Sequence, residues 1–179
     1  MTSLPPTFFE YEAWRTILVN GCDGISGLAE FAKLPNLESL AVMRSSLTET
    51  PRVWPATVYG LSLDNNELEE WPKNLGQTTA LTSLRLQNNK LTSIPGDIGE
   101  LPSLKVLHVA DNQLQSVSPA IGRLANLEQL FLDSNRDLAA LPPEILNLPD
   151  ECQIFLFGTS LPEAMQSSSS IAELRQAWQ

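Results

Sequence analysis

Positive charge is scarce in this chain of 179 residues: 11 lysines and arginines stand against 21 aspartates and glutamates, a formal net charge of −10. That balance argues against nucleic acid and against an anionic membrane surface, both of which are gripped mainly by lysine and arginine. Cysteine is nearly absent, with Cys22 and Cys152 alone, too few for a disulfide framework. The single histidine, His108, has no second histidine or cysteine at a ligand spacing, so no metal or other cofactor is expected. No apolar run approaches the roughly 20 residues that would cross a bilayer. The opening "MTSLPPTFFEYEAW" lacks the basic and apolar segments of a signal peptide, and no Asn-x-Ser/Thr acceptor occurs. Neither a G-x-x-x-x-G-K-[ST] nor a G-x-G-x-x-G loop is present to cradle a nucleotide phosphate. These absences together describe a cytoplasmic, intracellular chain in a reducing compartment.

What is present is a repeat. "LTSLRLQNNKL" at residue 81 recurs as "LKVLHVADNQL" at 104 and "LEQLFLDSNRDL" at 127, and earlier as "LESLAVMRSSL" at 37 and "VYGLSLDNNEL" at 58. A degenerate sixth copy, "ECQIFLFGTSL", begins at 151, so the steps are 21, 23, 23, 23 and 24 residues. Second halves such as "TSIPGDIGELPSL" and "QSVSPAIGRLANL" are shared as well. Such a fixed period marks stacked supersecondary units, none of which can bury its own apolar face.

The pattern resembles the leucine-rich-repeat family, with its LxxLxLxxNxL strand half and LPxxIGxLxxL return half, over about residues 25 to 161. The resemblance implies an α/β fold: a right-handed solenoid, or horseshoe, with a concave parallel β-sheet. It departs from consensus at Ser45 and Thr159, which replace the asparagine, and at Glu151, which stands where a leucine belongs. All three departures lie in terminal copies, where capping units are expected.

Residue chemistry supports the same picture. Parallel strands need a crossover, and the Pro-rich half supplies one per copy. Asn66, Asn89, Asn112 and Asn135 carry both a donor and an acceptor, so each is expected to bond the backbone of its own and the next coil. Their neighbours Asn65, Asn88 and Asp111 read as solvated turn residues.

Both ends of such a stack need lids. Residues 1–21 are expected to be an N-terminal helical cap, residues 22–161 the repeats, and residues 162–179 a C-terminal cap helix. In the first, Thr7 and Glu10 have capping-box spacing, Asn20-Gly21 ends the segment, and Phe8, Tyr11, Trp14 and Leu18 share a helical stripe. The β-branched run from Thr16 to Val19 leaves a strand open as the alternative there. In the last, Ser170 and Glu173 repeat the capping-box spacing, while residues 167–170, "SSSS", read as a flexible hinge.

No catalytic constellation emerges, and the chain reads as a non-enzyme. Cys152 and His108 fall two copies apart, roughly 10 Å at strand spacing, too far for a base to act on a thiol. Asp64 and Asp133 are three copies apart, too far for paired carboxylates. Alternation instead turns two rows of side chains out of the concave sheet, Arg85, His108, Phe131 and Phe155 in one and Met43, Asp64, Gln87, Asp133 and Phe157 in the other. Outward aromatics on a preformed surface resemble binding anchors, although Phe155 and Phe157 could equally be covered by the C-terminal lid. The expectation is a protein–protein interaction module, monomeric in isolation, gripping another protein through its concave face. Two alternatives accompany it: a bacterial effector delivered to a host, and a structural or regulatory subunit of a larger complex.

Overall fold

A computed structural model of the chain describes residues 2–3 and 5–178. In chain order its strands are β1 (Thr2–Ser3), β2 (Thr16–Asn20), β3 (Ile25–Ser26), β4 (Ser39–Met43), β5 (Gly60–Ser62) and β6 (Ser83–Arg85). There follow β7 (Ser93–Ile94), β8 (Val106–His108), β9 (Ser116–Val117), β10 (Gln129–Phe131) and β11 (Gln153–Phe155). Seven of them form one parallel sheet in the order β11-β10-β8-β6-β5-β4-β2. Two short pairs, β1 with β3 and β7 with β9, are also parallel. Each coil therefore advances by one strand, the geometry of a solenoid.

The interior is a ladder of aliphatic side chains. Leu84, Leu107 and Leu130 pair in register across neighbouring strands and are wholly buried. On the convex side the return halves form 3₁₀ turns at Leu75–Gln77, Gly96–Glu100, Pro119–Arg123 and Pro143–Asn147, each burying one apolar residue: Leu75, Ile98, Ile121 and Ile145. These turns stack so closely that a Cβ on Gly122 would come within 2.2 Å of the Glu144 carbonyl oxygen. The glycine of the Ile-Gly pair is thus required by close approach of the next coil.

The ladder asparagines are buried and bonded at every polar atom. Asn112 Oδ1 accepts from the Leu91 N–H at 2.9 Å, and its Nδ2 donates to the Leu86 and Val109 carbonyls at 2.9 and 3.1 Å. Asn89 and Asn135 repeat this arrangement one coil away on either side. Asn66 does so too, with Oδ1 accepting from both Ser45 and Leu47 N–H groups. The reach is to the preceding coil, not the following one, because the side chain points back under the turn it leaves. Ser45 and Thr159 fill the asparagine position at the ends with fewer bonds; the Thr159 hydroxyl donates to the Leu156 carbonyl of its own coil.

Asn65, Asn88 and Asp111 have a conformational role beyond solvation. They adopt φ of 58°, 54° and 53°, and Arg44, Ser134, Gly21 and Gly158 occupy the same left-handed place in their coils. Asparagine, aspartate and glycine tolerate this region best. The residue ahead of each ladder position is therefore where the chain turns out of the strand.

The N-terminal cap differs from the helical expectation. Only Pro6–Glu10 is helical, as a 3₁₀ turn with no side-chain cap from Thr7, and Thr16–Asn20 is a strand paired residue for residue with Ser39–Met43. Ile17 and Val19 point into the core while Thr16, Leu18 and Asn20 point out. β-Branched inward residues and a waiting sheet edge outweigh the helical stripe. Phe8 instead stacks on Trp14 at 5.0 Å, and the Trp14 indole N–H donates to the Phe8 carbonyl.

At the other end α1 (Glu163–Gln166) precedes α2 (Ile171–Ala177). Ser170 caps α2 by accepting from the Glu173 N–H, while the Glu173 carboxylate accepts from the N–H and hydroxyl of Ser169. Those bonds hold Glu173 below the usual carboxylate pKa. The serine run is no hinge. Ser170 forms an antiparallel bridge with Gln153, and the Ile154 N–H donates to the Ser169 carbonyl, so this segment seals the edge of β11. Arg175 reaches back to the Leu146 and Leu148 carbonyls and to Asp150, clamping α2 to the last convex turn. In that coil Cys152, one residue past Glu151, fills the buried leucine position.

Candidate functional site: the concave sheet

The registered strands set the site. One row runs Leu18, Ala41, Ser62, Arg85, His108, Phe131 and Phe155 across seven strands. Leu18, expected on a helix, opens this row and is 63% exposed. Its place was legible: Thr16, Leu18 and Asn20 stand 23 residues before Ser39, Ala41 and Met43, the step of the repeats themselves.

The N-terminal half of the surface is small and internally satisfied. Met43 is half-buried at its side. Asp64 is only 6% exposed, and its carboxylate accepts from Arg85 Nε at 3.2 Å, from the Gln87 N–H at 2.8 Å and from the Ser62 hydroxyl. Asp64 is thus a buried support that fixes Arg85 and not a presented contact, whereas the Arg85 side chain stays exposed. The Gln87 amide leans towards Asp111 at 3.4 Å.

The C-terminal half is aromatic. Phe131 lies between His108, with ring centroids 4.5 Å apart, and Phe155, stacked at 4.3 Å with planes 2° from parallel. Phe155 and Phe157 remain 38% and 79% exposed. The lid runs beside the sheet edge and not over its face, so it leaves both rings open. Together with Asp133, Gln166, Ser168 and Ser169 they line a shallow hollow. The tail contributions to that hollow had no sequence signal, because only the folded edge brings Gln166 and Ser169 there.

Electrostatics follow from burial. His108 is half-buried, and desolvation, aided by the Arg85 charge, pushes its pKa down, so it is neutral near pH 7. Its Nδ1 is buried without a hydrogen-bond partner among the described residues. Burial raises the Asp133 carboxyl above its ordinary value. Cys152 points into the core and burial lifts its thiol to about 11, which leaves it inert and on the opposite side of the sheet from His108. Among the described residues no group of three His, Cys, Asp or Glu side chains could hold a metal ion. No helix there is long and apolar enough to cross a membrane.

The family described as "Leucine rich repeat" matches residues 79–136. Among curated proteins nothing matches the chain. Of solved structures, an LRR protein of Leptospira interrogans is 28% identical over 90% of this chain, with a TM-score of 0.70. The plant peptide hormone receptor RGFR1, in complex with RGF2, is 28% identical over 89% of this chain, with a TM-score of 0.74. The functional domain of InlJ from Listeria monocytogenes, 20% identical over 86% of this chain with a TM-score of 0.67, shares the fold alone. This chain spans 47%, 27% and 32% of those three structures, respectively.

Proposed function

We propose, taking as premise that this chain is a leucine-rich-repeat protein, that it is a non-enzymatic module which binds another protein through its concave sheet. The fold itself marks a protein interaction module; the face, the anchors and the absence of catalysis are our reading. One observation carries it: Phe155 and Phe157, 38% and 79% exposed, stand beside the half-buried Phe131 as an aromatic ridge on a hydrogen-bonded sheet, with Phe155 stacked on Phe131. Exposed aromatics grouped on a concave surface are the usual form of interface anchors. A receptor of similar fold solved in complex with RGF2 is a supporting analogy. An intracellular setting belongs to the same proposal and rests on the free thiols of Cys22 and Cys152.

The test is capture from native lysate with three forms of the chain, read by quantitative mass spectrometry. Phe131→Ala should lose the specific partner while costing about 1–3 kcal/mol of stability, the scale of two lost ring pairs. Glu100→Arg, on the convex side, should keep it. Leu130→Ala, wholly buried one residue earlier, should cost roughly 2–5 kcal/mol through the cavity it leaves. A partner kept by Phe131→Ala and lost by Glu100→Arg would move the site to the opposite face.

A further inference from the structure

The aromatic end of the concave face carries two carboxylates, Asp111 and Asp133, outside every ion pair among the described residues. Arg85, two strands from Phe131 in the same row, is taken up by Asp64. Lys105 at the rim is taken up by Glu128. Asp133 lines the same hollow as Phe131, Phe155 and Phe157. The histidine between the two halves supplies no counter-charge, being neutral near pH 7.

Resting on the concave-face reading, we propose that this hollow takes a basic side chain from an apolar stretch of the partner protein. Its methylene stem would lie along Phe155 and Phe157 and its cationic head would pair with Asp133. Lysine and arginine divide in this way, with an apolar stem and a charged tip. A cation brought to a partly desolvated carboxylate gains more than one brought to a solvated carboxylate, because screening is weaker there. An acidic partner would instead meet unmatched negative charge on a chain of net charge −10.

Panning a random 12-residue peptide display library on the immobilised full chain tests this, with the selected peptides then synthesised and titrated. Sequences pairing lysine or arginine with aliphatic or aromatic neighbours should be enriched. Their affinity should fall tenfold or more on Asp133→Asn and again on Phe157→Ser, with melting temperatures confirming that both variants fold. Peptides lost on Phe157→Ser but neutral or acidic, and indifferent to Asp133→Asn, would overturn the partner chemistry and leave the concave site standing. Peptides indifferent to Phe157→Ser and Phe131→Ala but lost on Glu100→Arg would overturn both. A selection without basic–apolar sequences would also overturn the proposal.

Discussion

The two ends of the solenoid are finished in opposite ways. At the C-terminal end the edge of β11 accepts an antiparallel bridge from Ser170, and α2 presses Ile171 and Leu174, both wholly buried, onto the last coil. At the N-terminal end β2, among the described residues, pairs with β4 alone. Arg15 C=O and Gly21 N–H are used towards β4, so the alternate backbone groups of Thr16 and Leu18 face outward, unpaired among the described residues, while the outward Asn20 carbonyl accepts from the Cys22 thiol at 3.8 Å. An aromatic cluster of Phe8, Phe9, Trp14 and Phe31 covers the apolar floor beneath this edge without closing the edge itself. A lid that shields a core and a lid that shields an edge are therefore separable devices.

The largest expected effect comes from removing the better lid. Deleting residues 168–179 exposes the neighbours of two fully buried aliphatic side chains, worth roughly 3–6 kcal/mol, and frees the edge of β11. Thermal melts should show the loss and sedimentation should show association; an unchanged, monomeric product would mean that α2 closes nothing.

Next in size is the contrast between interior coils and terminal ones. Asn112→Ala should cost about 1–3 kcal/mol in urea melts, since it strands buried backbone groups of two coils. Thr159→Ala, whose hydroxyl serves mainly its own coil, should cost less, about 1 kcal/mol. Equal losses would show that the ladder does not depend on bridging.

Smaller again is the turn residue beside the ladder. Asn88→Ala should destabilise by about 1 kcal/mol because alanine resists a left-handed φ, while Asn88→Gly should stay within about 0.5 kcal/mol of the parent. Similar melting for both variants would remove the conformational reason for asparagine there.

The smallest effect belongs to the open edge. Leu18→Lys should change stability by less than about 0.5 kcal/mol, its side chain being exposed, yet it should raise solubility by blocking edge-to-edge pairing. Increased association by light scattering would contradict an open edge at β2.

Periodicity alone was enough to specify much of this molecule. The leucine spacing defines inward and outward positions, and the side-chain period of a strand allows no second assignment. The rows from Ser39 to Gln153 and from Ala41 to Phe155 follow from it directly. The asparagines announce a buried turn because a buried backbone demands a two-sided partner. Tertiary structure decided the rest. Residues 16–20 carry both a helical stripe and a strand alternation, and only the available edge of β4 selects the strand. The left-handed φ of Asn88 depends on the path between coils. The burial of Asp64 depends on Arg85 and Ser62, brought beside it by register and strand, and the seal of Ser169 on β11 depends on a return of the chain. Local sequence encodes a face and a period; which edge is met and which charge is buried are properties of neighbours distant along the chain.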